Sequence, residues 1–123
     1  GASLKRKISA YNDGRLFDRT VASDKDGNLT TTDVVLSRSG SMNKRTRSRS
    51  AQGRECLALT KVDEDRKVTV KTLDALNGVT TRMERVSRPQ ANGTIEVESK
   101  YWGAKGDTKR TKEILDASGS KIH

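Results

Sequence analysis

In Lys67-Val68-Thr69-Val70-Lys71-Thr72-Leu73, polar and apolar side chains alternate from Lys67 to Lys71. That period of two belongs to a strand, because successive side chains of a pleated chain point to opposite faces. Thr94-Ile95-Glu96-Val97-Glu98 repeats the pattern. Outward from these two segments, glycine punctuates the chain. Gly14, Gly27, Gly40 and Gly53 stand 13 residues apart, Gly93, Gly106 and Gly119 resume the spacing, and Gly78 falls one residue off phase. The Asp63-Glu64-Asp65-Arg66 turn alone has no glycine. The glycines keep turn-forming company, as in Asn12-Asp13-Gly14, Asp24-Lys25-Asp26-Gly27-Asn28, Asn77-Gly78 and Asn92-Gly93, and glycine supplies the positive φ that tight hairpins need.

The segments between turns are rich in Thr, Val, Ile and Leu and suit strands better than helices. Thr108 to Leu115 has few helix breakers, but the spacing argues for a strand there too. The expectation is an all-β single domain over residues 1–123: an antiparallel meander of about nine short strands made from a 13-residue strand-turn repeat. Gly1-Ala2-Ser3 is compatible with an expression-tag remnant.

Stacking the repeats gives two apolar columns, Leu16, Leu29, Met42, Val68 and Ile95, and, five residues later, Ile8, Val21, Val34, Leu73 and Val86. Each reads as a buried row. Five is odd, so a flat strand would set the columns on opposite faces. A bulge or bend in each strand would return both to one core, and a curled sheet or barrel is therefore expected over a flat single layer with two weakly apolar faces. The flat alternative resembles, in its Lys-, Glu- and Thr-rich composition, the single-layer sheet of spirochaete outer-surface lipoproteins. Tyr11-Asn12-Asp13-Gly14-Arg15-Leu16 and Asp26-Gly27-Asn28-Leu29-Thr30 resemble the turn-strand units of YD-type repeat shells over about 25 residues. The later turns carry no Tyr-Asp pair, so the resemblance implies shared hairpin chemistry and no more.

Only 31% of the 123 residues are hydrophobic and 33% are charged, so the core must be thin. No apolar stretch is long enough for a membrane-spanning helix, and the first 30 residues hold no signal-peptide apolar segment; localisation is left open. Cys56 is the single cysteine, which excludes an intramolecular disulfide and a thiolate zinc cluster; its neighbours Leu57 and Leu59 point to a half-buried strand thiol. The one histidine is the terminal His123, a poor base for a nucleophilic triad. The 16 acids single out no acid-base pair, and no phosphate-binding glycine loop opens a helix. Asp24 to Asp33 carries part of a calcium-loop pattern, but Ala22 stands at its first ligand position. No enzyme, cofactor or metal is expected.

Charge is what remains. Twenty-five Lys and Arg against 16 acids give +9, a field that draws polyanions. In Lys44-Arg45-Thr46-Arg47-Ser48-Arg49-Ser50, the side chains of Arg45, Arg47 and Arg49 would share one face of a strand, about 6.5–7 Å per step. Guanidinium forks bind phosphate or carboxylate oxygens in pairs. The bland reading is a charge-guarded edge strand or a solvated loop. Lys44, Arg45, Arg47, Arg49, Arg54, Arg82, Arg85 and Arg88 are the expected polyanion-binding residues, and nucleic acid or an acidic protein surface the expected partner. Tyr11, Phe17, Tyr101 and Trp102 are too few for a base-stacking platform; Tyr101-Trp102 is expected to fill the core or plug a sheet end. Two other classes compete: a self-assembling structural subunit of a virion, fibre or surface layer, pairing its sheet edges into a homo-oligomer, and a β-barrel that holds a small ligand near Trp102.

Overall fold

A computed structural model describes residues 2–122; Gly1 of the tag-remnant reading and the terminal His123 lie outside the described residues. The chain forms nine strands: β1 (Ser3–Ala10), β2 (Leu16–Ser23), β3 (Leu29–Leu36), β4 (Met42–Arg49), β5 (Glu55–Val62), β6 (Val68–Leu76), β7 (Val79–Pro89), β8 (Ile95–Trp102) and β9 (Thr108–Leu115). They lie in one antiparallel sheet in chain order, so all-β and meander are both observed. Thr108–Leu115 is a strand, not a helix. The sheet does not close, because β1 and β9 are its two edges and do not pair with each other. There is no barrel. Each strand touches only its neighbours in sequence, so among the described residues no second layer covers either face.

Turn chemistry builds this. In the first connection the Tyr11 amide donates to the Arg15 carbonyl at 2.9 Å and the Gly14 amide to the Tyr11 carbonyl at 3.1 Å. That is a type I turn followed by a left-handed residue, the usual three-residue hairpin loop with a glycine bulge. The same two bonds recur at Asp24, Ser37, Ser50, Asp63, Gln90 and Gly103. At Asp63 the left-handed position falls to Arg66, with φ 68°. Asn77 and Gly78, at φ 52° and 79°, form the one tight two-residue turn, which explains why Gly78 is out of phase.

Loop length decides which face each side chain joins. Five-residue connections pair Ala10 with Leu16 and Leu36 with Met42, positions of equal parity, so even-numbered side chains stay on one face from β1 to β6. The Asn77-Gly78 turn pairs Leu76 with Val79 and reverses parity, so from β7 onward odd numbers take over that face. Pairing runs one to one along every strand, without the internal bulges that the sequence suggested.

The two apolar columns are therefore not buried rows. Thirteen is odd, so equivalent positions of successive units alternate between faces: Leu16, Met42 and Val68 lie on the even face and Leu29 on the other. The second column divides likewise, Ile8 and Val34 from Val21, Leu73 and Val86. A different apolar row does cross the sheet on the first face, through the partners Ala10, Leu16, Leu36, Met42, Val62 and Val68. Even so, Val97 is the only buried apolar residue among the described residues, at 3% exposure. Backbone ladders and cross-strand pairs, each pair contributing about 0.2–1 kcal/mol, take the place of a core.

Candidate polyanion interface

The two faces differ in charge. The strands place 13 Lys and Arg and five acids on the face that contains Arg45, Arg47 and Arg49. The other face holds Arg6, Lys44, Arg85 and Lys109 against Asp18, Asp74 and Glu113. The turns and the C-terminal tail carry eight charges of each sign and cancel. Eight of the nine net positive charges thus belong to one face, called the basic face below. Leu4, Ile8, Leu16, Leu36, Leu76, Val79 and Tyr101, exposed by 40% or more, all lie on the opposite, apolar face.

β4 is an interior strand, paired with β3 and β5, so its arginines guard no edge and sit on no loop. Edge protection falls instead to Lys5, Arg6 and Lys7 on β1 and to Lys109, Arg110 and Lys112 on β9. Arg45 and Arg47 have no carboxylate within ion-pair distance among the described residues, whereas Arg49 has Glu55 at 3.8 Å. Asp33, opposite Arg45 in register, is held by Arg19 at 2.7 and 3.1 Å. The Arg19 hydrogen bonds, and to a smaller degree the charges of Arg19 and Arg45, keep the Asp33 carboxyl below its ordinary range.

The other expected residues divide. Arg82 and Arg88 are on the basic face, but Arg85, an odd step from each, is on the apolar face, and so is Lys44. The three β7 arginines do not act as one group. Arg88 is shared between Glu98 at 3.7 Å and Glu96 at 4.0 Å. Arg54 lies in the turn before β5 and grips Asp74 through Nε and a terminal nitrogen, which leaves its fork occupied. Arg45, Arg47 and Arg82 are the members of the set that share a face and have no carboxylate partner among the described residues.

Tyr101 and Trp102 do not fill a core. They point to opposite faces, Tyr101 43% exposed on the apolar one and Trp102 on the basic one, its ring centroid 5.0 Å from the Arg82 guanidinium carbon. The partners Arg47, Leu57, Leu73, Arg82 and Trp102 form a single cross-strand row. Sequence reasoning missed this row, because Leu57 and Leu73 join Arg47 only once strand order and register are known. A depression of about 320 Å³ lies there, lined by Leu57, Leu59, Leu73, Arg82 and Trp102. A second, of about 410 Å³, shares Leu59 and Lys71 with it.

The calcium-loop residues serve the turn itself. The Asp24 carboxylate accepts bonds from the Asn28 side chain at 2.8 Å and from the Asn28 and Asp26 amides at 3.0 and 2.9 Å. Cys56 is half-buried on β5, as its neighbours suggested, with Sγ 3.5 Å from Asp74 Oδ1. Among the described residues no helix is long and apolar enough to cross a membrane. Comparison with protein families, with characterised proteins and with solved structures returned no match to this chain. Any reading of function therefore starts from the two faces.

Proposed function

We propose that the chain is a noncatalytic binding and assembly module whose basic face receives a polyanion, either nucleic acid or an acidic protein surface. One observation carries this reading: a net charge of about +8 lies on one side of a single-layer sheet, with Arg45 and Arg47 unpaired among the described residues. An array of guanidinium and ammonium groups on one face neutralises many anionic oxygens at once and releases their counterions. The 13-residue strand-turn unit belongs to the same reading, since it lays successive short strands side by side in one sheet. The test is binding to heparin and to a nucleic-acid ladder across a salt series. Retention should fall steeply with salt and fall further, at fixed salt, when Arg45, Arg47 and Arg49 become Ser. Failure to bind any polyanion at low salt would sink the proposal.

A second reading, a structural subunit that joins copies of itself, is favoured by the uncovered apolar face. The basic residues of β1 and β9 oppose joining through the edges, so face-to-face contact is the route that remains. Light scattering without any ligand separates the two, because a polyanion binder stays monomeric and a structural subunit does not.

A further inference from the structure

The basic face is not uniformly polar. Between the arginines of β4 and Arg82 of β7 lie Leu57 and Leu59 on β5 and Leu73 on β6, with Trp102 beyond Arg82. Leu59 is 40% exposed. Arg47 and Arg82 are three strand spacings apart, about 14 Å. A strip of three leucines, interrupted by Lys71 opposite Leu59, thus lies between two cationic flanks, and its depression continues past Leu59 and Lys71 into a more polar stretch with Asn43, Lys61 and Thr69.

We propose that the occupant of this strip is an amphipathic helix with acidic flanks, contributed by a polypeptide partner. The inference rests on the polyanion reading above and names the kind of polyanion. A helix is about 10–12 Å across with its side chains, which matches the gap between the cationic flanks. Its apolar stripe covers Leu57, Leu59 and Leu73 in the helix-in-groove manner. Carboxylates on one border meet Arg45 and Arg47, which step along β4, and those on the other meet Arg82. Glu84 lies on that second side, but its cross-strand partners are Lys71 and Lys100, so the border stays cationic.

Nucleic acid fits this strip less well. A phosphate backbone would press charge against three leucines and gain nothing for their desolvation. Unstacked bases would need an open aromatic face, and Arg82 lies over the ring of Trp102.

Trp102 is the only tryptophan, so its fluorescence reports on the strip directly. The probes are a helical peptide of about 20 residues made of Glu, Ala and Leu, with Leu at i, i+3, i+4 and i+7 and Glu on both borders; a scrambled peptide of the same composition; poly-glutamate; and a DNA duplex. The ordered peptide should bind about tenfold more tightly than the scrambled one, the ratio expected from covering part of two or three leucines, and should shift the Trp102 emission to the blue. The tenfold ratio should collapse toward one in Leu59→Ser and in Leu73→Ser, while heparin retention stays unchanged. Leu59 is surface-exposed, so its variant keeps the test valid should Leu73→Ser fail to fold. Equal binding of both peptides, or tighter binding of the duplex, overturns the helix proposal and leaves the polyanion reading standing. Failure of all four probes at low salt overturns both.

Discussion

The Arg66 amide donates to the Asp63 carbonyl at 3.0 Å, and so Arg66 occupies the left-handed slot that glycine fills in the matching turns, at φ 68°. A residue with a Cβ is strained there by about 1–2 kcal/mol. Arg66→Gly should relieve part of that strain, less the extra chain entropy that glycine gives the unfolded state, and stabilise the sheet by about 0.5–1 kcal/mol. The reverse change at Gly53, where a Cβ would meet nothing within 4 Å and φ is 86°, should cost about 1 kcal/mol or more through backbone conformation alone. Urea denaturation of both variants measures the difference.

These turns mark the boundary of what the sequence discloses. Strand number and turn positions were legible because Asn-Asp-Gly and Asp-Gly-Asn clusters act locally and leave strands of about eight residues between them. The faces were less legible. Leu16 and Leu29 look equivalent when the chain is read in columns, yet an odd spacing in an antiparallel meander sends them to opposite sides. The Asn77-Gly78 turn then exchanges odd and even for the rest of the chain. The separation of Arg85 from Arg82 and Arg88 follows from strand period alone and was there to be read. The row from Arg47 to Trp102 was not, because it depends on register across five strands.

Val97 is the one buried apolar side chain among the described residues, and stability should be correspondingly concentrated there. Val97→Ala should cost about 1–2 kcal/mol, most of the value of burying a valine. Leu4→Ala, on an edge strand at 71% exposure, should stay within about 0.5 kcal/mol of the parent. Thermal unfolding of the two variants side by side checks the contrast; equal losses would mean that the apolar face is covered in solution.

Acid should weaken the sheet at named points. In the folded chain the carboxyls of Asp18, Asp33 and Asp74 are held below the ordinary range chiefly by side-chain hydrogen bonds from Arg6, Arg19 and Arg54. Those of Asp24 and Asp116 are held low first by the side chains of Asn28 and Ser118. A depressed carboxyl contributes stability that is present above its unfolded value of about 3.9 and lost as pH falls through the lower folded value. The melting temperature should therefore be flat through neutral pH and fall below about pH 4. Asp24→Asn should reduce the acid-dependent part, and in salt its turn should be less affected than the Arg-paired sites, because neutral donors are not screened. A melting temperature that rises on acidification would contradict the assignment.

The edges make the last case. β1 exposes unpaired backbone donors and acceptors along its outer edge, and β9 does so short of its end, where the tail pairs through Leu115–Lys121 and the Ile122 amide donates to the Ile114 carbonyl at 2.7 Å; such edges are the natural template for another strand, and each carries three basic residues: Lys5, Arg6 and Lys7, and Lys109, Arg110 and Lys112. Arg6 is tied to Asp18 at 2.7 Å, so Lys5 and Lys7 are the free charges of the first edge among the described residues. Both belong to the basic face, and a second copy that paired β1 with β1 would bring like charges together. Replacing Lys5 and Lys7 with Thr keeps strand propensity and removes that repulsion. Light scattering should then show concentration-dependent association in the variant at salt levels where the parent stays monomeric, and raised salt should bring the parent toward the variant by screening the same charges. If the variant remains monomeric under every condition, charge is not what keeps the edges apart, and the twist or local geometry of β1 must do so.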